Sequence, residues 1–414
     1  MSWAAGALLA IPALVPSAWS LDHGGSQSVL GAATVAGGFF CLLTGFFKTR
    51  WVFPVYIVAI AAADTVAGAA HGRHLGVMVR GLTARRGHHH FERRRSLTSM
   101  LFMHATAAGC LGAAIIAAFT YHMLRRSDHH TSLWVVSIFS GLLWFAGMAH
   151  AFTTVQTGTA PSRRRDHGKL AHVLEIFHYP HAVGSLVGIF LSSSSSMCIF
   201  IGGILYVFGQ LCMKPVSLLS LWMIYFIFPV VSLPAVHVLQ LVLRADAVRM
   251  QLLGFFMSAV TAGAGFYYRG SNWHRAHVLL AALLQSTASG TLHAFGRVLT
   301  LDCSPAGGEG AFSTWASWVR TAGSCAGFAL ASVYPGDVGK TFGMSFCAVV
   351  LGSCVLVFGN VSHERGVEAA GHVEEEAPDQ ESFHGLEEKG RQGRRHVSEP
   401  SHEKLEDNDG IQQV

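Results

Sequence analysis

The sequence predicts an all-α fold, a polytopic transmembrane helix bundle of about 9–11 spans that ends in a disordered acidic tail. The first observation is composition: 51% of the 414 residues are hydrophobic and only 13% are charged, against about 25% charged in a soluble domain. The second is a succession of apolar runs near the ~20 residues needed to cross hydrocarbon as a helix. The third is a charge asymmetry. Residues 1–359 hold 23 Lys/Arg against 10 Asp/Glu, whereas residues 360–414 hold 6 against 14.

The first element is the apolar stretch 3–19, which ends in Ala18-Trp19-Ser20, a small-x-small pattern suited to signal peptidase. It lacks a basic n-region and contains Pro12 and Pro16, so 1–21 reads as a signal peptide or as a retained first hydrophobic segment. A transmembrane bundle over 22–359 follows. Its apolar runs are 28–47, 51–70, 98–121, 133–155, 170–192, 197–213, 216–243, 250–268, 276–298, 311–334 and 341–359. Helices are required here because a lipid-exposed backbone must satisfy its own hydrogen bonds. The run 170–192 carries Glu175, three histidines and Pro180 and is a poor span by polarity. Between the runs, 71–97 holds seven arginines, 156–169 holds Arg163, Arg164, Arg165 and Lys169, and the intervening 123–132 holds two basic residues. The first two stretches read as loops facing anionic lipid on the cytosolic side. This basic balance sits between hydrophobic runs, which points to the lipid bilayer as partner and away from nucleic acid. The tail 360–414 is too polar to offset its chain entropy and should be disordered.

Twenty-four histidines raise the question of a metal or haem centre. His88-His89-His90, His129-His130 and His167 lie in polar stretches, where clustering alone fixes no geometry. Three HxxH pairs, His71/His74, His178/His181 and His274/His277, could each present two imidazoles on one helix face. The best metal candidates are Glu175 and His178, an ExxH unit, with His181 and His277. Helical di-metal carboxylate sites use two such units plus further glutamates, and one is present. The expectation is therefore no cofactor, no catalytic set, and no convergence of these histidines. The eight cysteines form no CxxC, and seven of them lie in or beside apolar runs as small hydrophobes. Asp64, inside the apolar run 51–70, is costly to leave facing lipid and needs a partner or an aqueous cavity. Phosphate loops and nucleophile elbows are absent from the sequence.

Several segments resemble the transmembrane protein 45 family, multi-pass proteins built on a domain of unknown function. They are MQLLGFFMSAVTAGAGFYY at 250–268 with HVLLAALLQ at 277–285, Trp318-Val319-Arg320-Thr321 opening a span that ends in Tyr334-Pro335-Gly336, and Phe342-Gly343-Met344-Ser345-Phe346-Cys347. Gly37-Gly38-Phe39-Phe40 with Gly45 is similar to the family's first span, and Phe177-His178 with His181-Ala182 to its central helix. The family's membrane Glu is replaced by Ala262-Gly263-Ala264. The resemblance implies a multi-pass architecture and brings no catalytic residues with it.

Three functions are compatible with these features. The first is a non-enzymatic multi-pass protein, an organiser or a transporter-like bundle. The second is a metal- or haem-dependent membrane redox protein centred on Glu175, His178, His181 and His277. The third is a proton-coupled carrier using Asp64. In the tail, Ser398 has arginine at −3 and proline at +2, a spacing that resembles the phosphoserine motif read by dimeric adaptor proteins and requires a cytosolic tail.

Overall fold

The computed structural model describes residues 2–44, 46, 50–85, 91–126, 129–153, 168–270 and 273–371. Among these residues the chain is helical and contains no strand. A broken pair, α1 (Ser2–Leu9) and α2 (Ile11–Asp22), leads into α3 (Ser26–Thr44), α4 (Phe53–Arg85), α5 (Phe91–Arg126) and α6 (His129–Thr153). The short α7 (Lys169–Leu174) and a 3-10 turn, Glu175–His178, precede α8 (Pro180–Gly209), α9 (Pro215–Leu243), α10 (Ala247–Tyr267), α11 (Arg275–Asp302), α12 (Glu309–Val333), α13 (Val338–Phe358) and α14 (His363–Ala369). Nine of these helices are long and apolar enough to cross a membrane. Helix α12 and the α1–α2 pair run through the same layer, packed against α4. The chain is an integral multi-pass membrane protein.

The N-terminal helices, α1–α6, and the later ones, α8–α13, pack extensively on each other, with α5 lying along α9 and α4 along α12. Within the second group α12 approaches α8 closely. A Cβ at Gly327 would stand 2.1 Å from the Ser194 carbonyl oxygen, and one at Gly323 would stand 2.5 Å from that of Phe190. Small residues four apart permit this contact where packing replaces the hydrophobic drive between helices. Helix α9 holds Pro229 and Pro234 in its interior, which a membrane helix tolerates when neighbours satisfy the freed backbone groups.

Three expectations change here. The runs 170–192 and 197–213 are not two spans. The first part folds at the surface as α7 and the 3-10 turn, and the rest is one helix, α8, through Ser192–Ser196. The serines stay helical because their hydroxyls bond back to the helix: Ser192 Oγ donates to the Ile189 carbonyl (3.0 Å) and Ser195 Oγ to that of Ser192 (3.0 Å). The expected loop 71–97 is mostly helix, since α4 runs to Arg85 and α5 starts at Phe91. Residues 360–371, expected in the tail, form the turn into α14, whose His363 is fully buried. Residues 2–22, read as a signal or a retained segment, form α1 and α2. Residues 372–414, with Ser398, lie outside the described residues, as do His88–His90 and His167.

One spurious span fewer after residue 169 settles the direction of the chain. The C-termini of α2, α4, α11 and α13 share one end of the bundle with the N-termini of α5, α8 and α12. The chain beyond α14 therefore leaves from the arginine-rich face. If that face is cytosolic, as its basic excess predicts, a C-terminal tag on intact cells should survive external protease. Its removal would contradict the orientation.

Candidate functional site

Two polar layers lie within the bundle. The first closes the arginine-rich end. Asp22, at the end of α2, is buried; it accepts the backbone N–H of Gly310 (2.6 Å) and of Ala311 (3.0 Å) at the start of α12. A carboxylate at that position meets unsatisfied donors and the positive end of the helix dipole. His172 Nε2 on α7 lies 2.9 Å from the same carboxylate, and Arg73 Nε on α4 lies 3.8 Å away. Two turns further along α4, Arg80 pairs with Glu309 at 3.0 Å. A parallel set joins the other helices: Asp302 at the end of α11 receives Arg94 of α5 (3.4 Å) and His363 of α14 (3.0 Å). Both sets tie the α1–α6 group to the α8–α14 group. Arg80 and Arg94, two of the seven arginines expected to face lipid, instead pair with carboxylates of the other half, and Arg73 lies 3.8 Å from Asp22 within its own.

Imidazolium pairing with Asp22 raises the His172 pKa above its ordinary 6.5 through the hydrogen bond, against a smaller opposing effect of burial. A raised value means that this stabilisation is complete below about pH 6.5 and is lost as pH rises through the folded-state value. Melting of wild type and His172→Gln should therefore differ most in acid and converge at about pH 9, well above the ordinary imidazole range. A difference that grows with pH would contradict this pairing.

The second layer lies deeper. Asp64 of α4 is in electrostatic range of Arg320 of α12 and Arg297 of α11, and His293 is in range of both arginines. Close packing of α4 on α12 sets this geometry. Thr65 Oγ1 and Thr321 Oγ1 are 3.0 Å apart, and Ser317 Oγ donates to the Thr65 carbonyl at 2.7 Å. Gly68, one turn from Asp64, leaves Arg297 Nη2 only 4.0 Å from where a Cβ would stand. Arg320 is eleven residues along α12 from Glu309, about 16 Å of helical rise. Arg297 and His293 are half-buried, whereas Asp64 and Arg320 keep exposed surface. Cys110 of α5 lies in electrostatic range of both Arg320 and Tyr225 of α9.

The histidine candidates are placed apart from this layer. Glu175 lies beside His172 at 3.9 Å. His178 is exposed, and His181 Nδ1 accepts the Ser362 backbone N–H at 3.2 Å. His277 caps the N-terminus of α11 at the other end of the bundle, with its Nδ1 3.4 Å from the His274 backbone nitrogen. About 40 Å of helix α11 separates that end from Asp302. Among the described residues, no three His, Cys, Asp or Glu side chains gather as a metal site. Of the candidates, Asp64 alone joins a polar cluster within the membrane. Sequence reasoning overlooked Arg297 and Arg320, although each interrupts an apolar run as Asp64 does.

No protein-family model matches the chain, and no curated protein matches it. Solved structures do. A bacterial homologue of the iron transporter ferroportin, in an outward-facing state, has a TM-score of 0.58 at 15% identity, covering 87% of this chain and 90% of that one. The major facilitator superfamily proton:xylose symporter has a TM-score of 0.61 at 12% identity over 89% and 87%. The human organic anion transporter MFSD10 has 0.55 at 12% over 86% and 82%. The chain shares the fold of these transporters.

Proposed function

We propose that the protein is a secondary transporter in which a small anionic solute binds at the Asp64 cluster and moves with a proton carried by Asp64. The observation that carries this reading is the cluster of Asp64, Arg297 and Arg320 where α4 packs on α12, with Asp64 and Arg320 keeping exposed surface. Two guanidiniums against one carboxylate leave an excess of positive charge in low-dielectric surroundings, which favours an anion. Guanidinium is permanently charged and geometrically matched to carboxylate, sulfate or phosphate oxygens.

Coupling follows from the same charges. With Asp64 ionised, it competes with the solute for the arginines. Protonation of Asp64 removes that competitor, so anion and proton bind together and leave together. For charges roughly 6 Å apart in an effective dielectric of about 20, the difference is near 3 kcal/mol, or about 100-fold in affinity. The Asp22 and Asp302 networks hold the arginine-rich end closed. Their ion pairs must open for the solute to pass, which makes them the switch between access to one side and the other. The shared fold with transporters supports this reading, as does the name of one neighbour, an organic anion transporter.

The test is uptake by proteoliposomes containing the full-length protein, with an imposed acid-outside gradient and a panel of labelled succinate, citrate, sulfate and phosphate, with xylose as the neutral control. Gradient-dependent accumulation of at least one anion is expected. Accumulation of xylose alone would reject the anionic substrate, and accumulation of none of them would reject the proposal.

A further inference from the structure

An internal space lies within the α8–α13 group, between α8, α9, α10, α11 and α13, toward the end opposite the arginine-rich face. Its enclosed part measures about 90 Å³, and beyond that it opens outward. Its walls are rich in rings: Phe200, Tyr206, Trp222, Tyr225, Trp273 and Phe342. They hold one another in place, with Phe200 5.2 Å from Tyr225 and 6.0 Å from Trp222 between centroids, and Tyr206 6.3 Å from Trp273.

Gln285 of α11 also lines this space. It is only 2% exposed, and neither its amide oxygen nor its amide nitrogen has a hydrogen-bond partner. The indole N–H of Trp222, on the same wall, is buried and unpartnered as well. Buried polar groups are almost always satisfied, because leaving them unpaired in an apolar enclosure is costly. An occupant that completes the site must therefore offer both a donor and an acceptor to Gln285. A carboxylate supplies only acceptors and an ammonium only donors. No ionisable group of opposite sign lines the space to neutralise either. A hydroxyl supplies both, and the flat aromatic walls suit a rigid ring body better than a flexible chain.

We infer that this cavity is a binding site for a neutral, ring-bodied amphiphile with one hydroxyl group, the chemistry of a membrane sterol, held by Gln285 and Trp222. The site is distinct from the charged Asp64 cluster and does not depend on that cluster's being part of a transport pathway.

The test is photolabelling of the full-length protein in nanodiscs with a diazirine-bearing cholesterol, with adducts mapped by mass spectrometry. Adducts on cavity residues are expected, removed by excess unlabelled cholesterol and lowered at least tenfold in Gln285→Leu. Gly203→Leu provides a second variant that does not depend on Gln285. Gly203 lines the cavity, and an added Cβ there meets nothing within 4 Å, so the leucine should fill the space without disturbing the backbone. It too should lower labelling at least tenfold at an unchanged melting temperature. Labelling that persists in Gly203→Leu, adducts confined to the lipid-facing surface, or equal labelling of the same residues by diazirine-palmitate would each overturn the inference.

Discussion

Asp22→Asn should destabilise the protein by about 3–5 kcal/mol, the usual cost of removing one partner from a buried ion pair. The carboxylate is 1% exposed and bonds two backbone N–H groups, His172 and Arg73 at once. The substitution keeps the volume and one acceptor oxygen but leaves the Arg73 guanidinium and the start of α12 without their counter-charge. Because these contacts join the two halves only at the arginine-rich end, the loss should also loosen closure there. The check is thermal melting in detergent together with maleimide labelling of a cysteine placed at Ser317, which bonds the Thr65 carbonyl on the Asp64 side of that closure. A lower melting temperature with faster labelling is expected. Unchanged values for both would show that the Asp22 cluster does not hold the end shut.

Arg320→Gln should weaken binding of the transported anion by about 100-fold, from the loss of one full charge at roughly 6 Å. Arg297→Gln should act in the same direction. Neither substitution should mimic Asp22→Asn, since Arg320 lies about 16 Å of helical rise from the closure. Direct binding to purified protein, with the anion that scores in the uptake panel, separates the two effects. A protein that melts normally yet binds tenfold or more weakly supports the assignment. Wild-type affinity in both arginine variants would remove the cluster from the binding site.

Much of the architecture was legible because apolar length is a strong signal in a chain whose backbone must bond to itself. The positions of α9, α10, α11 and α13 follow their apolar runs to within a few residues. The misreadings have a common cause, which is that polarity was taken as a marker of loops. Ser192–Ser196 reads as a break, but serine hydroxyls return their hydrogen bonds to the helix that carries them. The arginines between 71 and 97 read as headgroup-facing, but Arg73, Arg80 and Arg94 find carboxylates more than 130 residues away along the chain, or across to α2. No local pattern reports such a partner. Asp64 stands out because an intramembrane charge is conspicuous; Arg297 and Arg320 meet the same criterion inside longer apolar runs and were not read as partners for it. The dense histidines suggest metal chemistry by number alone, and the structure uses His172 and His363 as partners of buried carboxylates. Relatedness to the transmembrane protein 45 family is neither supported nor opposed by the shared transporter fold.

The central claim is that Asp64 couples a proton to an anion held at the two arginines, and uptake by Asp64→Asn proteoliposomes tests it most directly. The amide stands in for the protonated carboxyl, so the variant should bind the anion as wild type does in acid and still exchange it across the membrane. It should no longer concentrate the anion when an acid-outside gradient is imposed. Gradient-driven accumulation by Asp64→Asn equal to that of wild type would contradict the claim.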